Sequence, residues 1–152
     1  MRIWHYKTIQ HLPKSQLIAQ WRELNSIYKK QDNHVLINYI YNYSKQYLYD
    51  YSQLVIEEMK KRGYKIKKWD NYNEYFEDVD YHYSLGLNYN EHDKEYLKIC
   101  YYNLYEKYIR GQKDFNEEQY LKLKQFVKDE LGEKLWKHLR KWNIKKKEKQ
   151  KF

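Results

Sequence analysis

Apolar residues fall at helical spacing in several separated stretches of the chain. In residues 16 to 28, "QLIAQWRELNSIY", Leu17, Trp21, Leu24 and Tyr28 form one stripe. Pro13 and Ser15 stand just before it, so the spacing predicts a helix over about 14–29. "KKQDNHV" then breaks the pattern with Asp32, Asn33 and His34, residues suited to a turn. Tyr51, Leu54, Val55, Glu58 and Met59 predict a second helix over about 47–62, closed by a basic end and Gly63. Residues 64–91 hold no sustained period and read as a long irregular segment packing through Trp69, Tyr72 and Phe76, with short strands left open. A third helix is expected over about 92–109 from Tyr96, Leu97, Cys100, Leu104 and Tyr108, with Gly111 beyond its end. Asn116 and Gln119 are spaced to cap a fourth, which stops near Gly132. "EKLWKHLRKW" groups Leu135, Trp136, Leu139 and Trp142 on a fifth, and "NIKKKEKQKF" reads as a frayed, solvated end.

The expected fold class is therefore all-α: a single compact domain of about four to five helices, spanning 1–142, with a long irregular segment between helices two and three and a basic tail over 143–152. No apolar run approaches the roughly 18 residues needed to cross a bilayer. The amino-terminal stretch lacks the apolar core of a signal peptide, and one cysteine cannot make an internal disulfide. These features predict a cytoplasmic protein without membrane partners. Cys100, flanked by apolar residues at helical spacing, reads as a buried structural thiol, and no metal-ligand spacing is visible.

The net charge of +9 suggests a polyanionic partner. Its distribution sharpens the picture. Residues 133–152 hold nine Lys/Arg against two Glu, net +7, so the rest of the chain carries only +2. Residues 70–95 hold eight carboxylates and one lysine, a stretch unsuited to phosphates. Twenty tyrosines with abundant Lys, Asn and Ile are also what an AT-rich genome encodes, so composition by itself discriminates little.

Three short stretches are more specific. "LIAQWREL" at 17–24, "NHV" at 33–35 and "VIEEMKKRGYKI" at 55–66 resemble the pyrimidine-dimer DNA glycosylases, the bacteriophage endonuclease V family. His92 and "NLYEKY" at 103–108 echo the ends of that family's third helix. No likeness is visible over 67–90 or after 111. The resemblance implies a DNA-repair glycosylase with abasic-site lyase activity on double-stranded DNA, with cyclobutane pyrimidine dimers as the lesion. No metal or other cofactor is implied, and the protein is expected to be a monomer. In such enzymes the amino-terminal α-amine attacks the sugar C1′, displaces the base and forms an imine, after which elimination breaks the strand.

Carried onto this chain, the resemblance makes Met1 and Glu23 the expected catalytic residues. Arg2 is bulky enough to predict retention of Met1, whose amine, with an ordinary pKa of about 7.7 to 8.0, is partly neutral at neutral pH. Glu23, at the border of the core, is expected to shuttle protons and stabilise cationic intermediates. Arg2, Arg22, His34 and Lys107 are the expected DNA-binding residues. Ser26 and Asn103 replace two of the family's arginines, which weakens the inference of lesion specificity. Three other readings stay open: an amine-based lyase for a different lesion or for abasic sites alone, a noncatalytic nucleic-acid-binding protein, and an interaction module in which the acidic 70–95 segment binds a basic partner.

Overall fold

A computed structural model describes residues 2–79 and 84–150, with side chains described as far as Leu139. All its regular elements are helical, and no strand occurs among the described residues. The all-α expectation is borne out. The chain divides into two compact units, residues 1–93 and 94–152.

The first unit begins with an extended arm and a 3-10 turn, Tyr6–His11. Helix α1 follows over Lys14–Lys29, matching the predicted bounds, with Pro13 at its amino-terminal cap. A second 3-10 turn, Asn38–Asn42, leads to α2 over Lys45–Lys61. The predicted stripe of α1 is buried: Leu17, Leu24 and Ile27 are enclosed, and α2 contributes Leu48, Val55, Ile56 and Met59. Tyr28 on α1 and Ser52 on α2 share a hydroxyl–hydroxyl hydrogen bond inside that interface.

Helix α2 ends in a Schellman arrangement, in which the N–H groups of Gly63 and Tyr64 bond the carbonyls of Lys60 and Met59 at 2.9 Å each. Gly63 takes a φ of 78°, which a side chain at that position would resist. The chain thereby turns back along α1. The segment read as irregular contains one short helix, α3 over Asp70–Tyr75. Its aromatics pack as expected: Trp69 lies 5.3 Å from Trp21, and Phe76 5.3 Å from Tyr28, between ring centroids. Helical spacing over 70–75 is too short to stand out from a single sequence, and it is this aromatic docking that fixes the turn. Asp50, buried on α2, accepts the N–H groups of Leu85 and Leu87 and so pins the far end of the segment.

Two buried histidines join the arm to residues 89–93. His92 accepts the Tyr6 N–H at Nδ1 (3.1 Å), which leaves the ring proton on Nε2 to meet the Tyr39 hydroxyl at 2.6 Å. His5 accepts the Lys7 N–H at Nδ1, and its ring stacks 5.4 Å from that of His92. Burial pushes the His5 pKa down to about 4. His92 is pushed down to about 3, first by burial and then by its histidine neighbour.

The second unit consists of α4, Lys94–Ile109, and α5, Glu117–Gln150. Asn116 and Gln119 form the anticipated reciprocal cap, each side chain accepting the other's backbone N–H at 2.8 to 2.9 Å. Gly132, with φ 80° and ψ 164°, interrupts the helix where the fourth was expected to stop. Beyond it the helix resumes and runs to Gln150, past Trp142, so 143–150 is helical rather than frayed. Lysine, glutamate and glutamine all favour helix, which explains the continuation. Leu97, Cys100, Leu104, Leu123 and Val127 form the core, with Tyr108 stacked face to face on Tyr120 at 4.2 Å. Cys100 is buried, as its surroundings implied. By sequence this unit carries 17 Lys/Arg against 9 Asp/Glu, net +8, whereas the first carries 13 against 12, net +1.

The histidine pair makes stability depend on acid. Unfolded histidines bind a proton near pH 6.5, whereas His5 and His92 in the fold resist it until about pH 4 and 3. Between those values the unfolded chain holds more protons, so stability falls as pH falls. Thermal melts from pH 7 to pH 4 should show a progressive drop in Tm that a His5→Gln, His92→Gln double variant flattens. An equally steep drop in that variant would assign the acid sensitivity elsewhere.

Candidate active site

Why the arm lies where it does is answered by one side chain in α1. Gln20 occupies a position three residues after Leu17, inside the apolar stripe, and is fully buried. Its carbonyl oxygen accepts from the Trp4 N–H (2.9 Å) and the Tyr51 hydroxyl (2.8 Å). Its amide donates to the Arg2 carbonyl (3.2 Å) and to Glu23 Oε2 (3.4 Å). All four hydrogen-bonding positions of the amide are thus used. The Tyr51 hydroxyl also lies 2.7 Å from the Trp4 carbonyl, its single proton shared between that oxygen and Gln20 Oε1, so α1 and α2 grip the arm together.

Glu23 sits one turn further along α1, half-buried, where its Oε2 also faces the Arg2 backbone N–H at 3.4 Å. Two donors therefore converge on one carboxylate oxygen. The arrangement holds the carboxylate against the Arg2 backbone at the root of the amino-terminal arm. Met1 itself lies outside the described residues. Trp4, His5 and Trp21, aromatics close to this region, are all buried in the first unit.

Arg22 is exposed on the neighbouring face of α1. It lines a cavity of about 440 Å³ between α1 and the chain after Gly63, together with Lys29, Lys65, Lys67 and Lys68. No carboxylate lines this cavity, and none of these five cations forms an ion pair among the described residues. Trp21 forms part of the floor and donates from Nε1 to the Lys67 carbonyl at 2.9 Å. That bond fixes the lysine-bearing segment against α1. Lys68 takes a φ of 65°, an unusual conformation for a residue with a side chain, where the chain turns into α3. Such a concentration of cations without ion-pair partners suits a polyanion at this face of α1.

Two further site residues were expected, His34 in the first unit and Lys107 in the second. His34 is exposed in the turn after α1, where its N–H bonds Asp32 Oδ1 (2.9 Å) and its Nδ1 accepts the Leu36 N–H (3.2 Å). It makes no described contact with Arg2 or Glu23. Lys107 lies near the end of α4 in the second unit, half-buried. One turn earlier, Asn103 donates its side-chain amide to the Ile99 carbonyl at 2.8 Å. Ser26, the other departure, lines the Arg22 cavity.

Glu23 and Arg22 were candidates from the sequence, whereas Gln20 and the three lysines of 65–68 join the candidate site only through the fold. A polar residue inside an otherwise apolar helical stripe was the available signal for Gln20. Replacing it by Leu leaves the Trp4 N–H and the Arg2 carbonyl without their buried partner. Gln20→Leu should destabilise the protein by about 2 to 4 kcal/mol in urea unfolding. Hydrogen exchange should speed up at Trp4 more than in α4, and unchanged exchange there would mean the arm is held by other contacts.

Neither a curated protein nor a solved structure significantly matches the chain. Residues 1–71 match the family model for pyrimidine dimer DNA glycosylase, so the resemblance carried by the first helix extends over the arm, α1, α2 and the lysine-bearing segment.

Proposed function

We propose that this protein is a DNA glycosylase with abasic-site lyase activity, acting on cyclobutane pyrimidine dimers in duplex DNA through the α-amine of Met1. The match over residues 1–71 supports a pyrimidine-dimer glycosylase role at the level of the family. The single observation that carries the mechanism is the Arg2 N–H facing Glu23 Oε2. Only the Cα and carbonyl carbon of residue 1 stand between that nitrogen and the α-amine along the covalent chain, which supports the amine-based reading.

The chemistry follows from those two groups. The neutral amine attacks C1′ of the damaged nucleotide, the glycosidic C–N bond breaks, and the base departs with the bond's electron pair and takes up a proton. Glu23, as the carboxylate, accepts a proton from the newly formed ammonium. It returns that proton to the ring oxygen as the C1′–O4′ bond opens, giving a cationic imine that its restored negative charge stabilises. Loss of a C2′ proton then expels the 3′ phosphate and breaks the strand. Hydrolysis of the imine frees the amine. An α-amine suits the first step because its ordinary pKa, about 7.7 to 8.0, leaves a useful neutral fraction at neutral pH.

Arg22 and its neighbouring lysines supply the phosphate contacts in this reading, with Arg2, His34 and Lys107 as further contacts. Duplex substrate has to be bent and a nucleotide extruded, which costs a few kcal/mol and less at a damaged step. Cations that grip the backbone around the lesion offset that cost.

Incubation with abasic-site duplex and borohydride should trap a covalent adduct when the protein carries its native amino terminus. Residues added before Met1 should abolish the adduct, and Glu23→Gln should remove glycosylase activity on irradiated DNA while leaving duplex affinity nearly unchanged. An adduct that survives the extension would assign the chemistry to a lysine. Equal loss of binding and activity in Glu23→Gln would make that carboxylate structural.

The cavity makes a separate claim about affinity. Lys67→Ala and Lys68→Ala should each lower the slope of log affinity against log salt by about 0.9 for duplex DNA. A slope equal to that of the unaltered protein would remove these lysines from the interface.

A further inference from the structure

A second cavity of the first unit is not used by the chemistry above. It measures about 360 Å³ and lies where the carboxyl end of α1 meets the 3-10 turn, the start of α2 and α3. Its walls include Lys29, Lys30, Lys45, Tyr41, Ser44 and Tyr75, and no carboxylate lines it. Lys45 is already committed: its ammonium pairs with Asp78 at 3.1 Å, bonds the Tyr75 carbonyl at 2.9 Å and stands 4.4 Å from the Tyr75 ring centre. Lys29 and Lys30 are exposed and form no ion pair among the described residues.

Tyr41 differs from the other tyrosines of this region. Tyr43 packs on Tyr47 and Tyr89, and Tyr75 on Tyr28 and Phe76. Tyr41 has no ring partner among the described residues. Its hydroxyl nevertheless accepts the Asp32 N–H at 2.7 Å, which fixes the ring at the cavity. An immobilised aromatic face beside two unpaired cations is the arrangement by which proteins take up unstacked bases and their phosphates. Bases in an intact duplex are stacked on one another and cannot enter such a cavity. Lys29 also lines the Arg22 cavity, so the two cavities share one cation.

We propose that this cavity is a binding site for single-stranded DNA, which takes one unpaired base against Tyr41 and the adjoining phosphates on Lys29 and Lys30. The site is independent of the lyase chemistry and does not require it. Its occupant is an unpaired strand of the kind exposed wherever a duplex is opened or frayed.

The test is fluorescence anisotropy with a labelled oligothymidylate, run beside an undamaged duplex of the same length. Tyr41→Leu should weaken single-strand binding about tenfold, whereas Tyr41→Phe, which keeps the ring and loses only the hydroxyl, should stay within about threefold. Lys30→Ala, an exposed substitution that leaves the fold alone, should weaken the same binding and lower its salt slope by about 0.7. Duplex affinity should change less than twofold in all three.

The proposal is overturned if Lys30→Ala and Tyr41→Leu leave single-strand affinity within twofold. It is also overturned if the two Tyr41 variants lose affinity equally, since the hydroxyl's hold on Asp32 would then be the cause. Parallel loss of duplex affinity would make the cavity part of the duplex surface and likewise sink it. Borohydride trapping is read separately, so failure of either idea leaves the other standing.

Discussion

The first unit depends on a buried amide. Gln20 takes a place on α1 that an aliphatic side chain would fill with less risk, because a buried amide is costly unless every polar atom finds a partner. Here every one does, and the partners come from three places: the arm, α2 and the same helix. The arm has no helix or sheet of its own to satisfy its backbone, so this side chain substitutes for a neighbouring strand. Ile3, fully buried between Arg2 and Trp4, adds the apolar part of the attachment.

That knot explains how the candidate carboxylate on α1 is held in place. Glu23 lies three residues from Gln20, so both side chains project from one face of the helix, and the same amide that holds the arm also bonds the carboxylate. A change in arm position and a change in carboxylate orientation are therefore the same event. At the arm's other end, His5 and His92 remain uncharged because burial disfavours the imidazolium. Neutral rings can accept backbone N–H groups from Lys7 and Tyr6, which charged ones cannot. Both ends of the arm are thus secured by side chains acting as acceptors for main-chain donors.

Much of the architecture was legible because it rests on local periodicity. The stripe of α1, the glycine that closes α2 and the Asn116–Gln119 cap each declare themselves within a few residues, and each occurs as read. The one-turn α3 was invisible because six residues cannot establish a period, and its aromatics are fixed by partners some fifty residues earlier. The candidate site was half legible. Glu23 and Arg22 stood out through a family resemblance, whereas Gln20 does its work through tertiary contacts and Lys65, Lys67 and Lys68 gain meaning only when Trp21 draws their segment onto α1. His34, carried over from the resemblance alone, acquires no contact with Glu23 among those described, and Lys107 belongs to the other unit.

The uneven charge of the two units separates speed of capture from strength of grip. In the first unit 13 cations are nearly cancelled by 12 anions, so beyond a Debye length of about 8 Å its field largely averages away. Its lysine-lined cavities act only once a polyanion has arrived. The second unit, at +8, retains an attraction that reaches further into solution. Under the proposed function, encounter with nucleic acid is accordingly steered by the charge of α4 and α5, while residence is set by the unit that holds the candidate carboxylate. In that reading, a change in the charge of α5 alters how often DNA is sampled rather than how it is held.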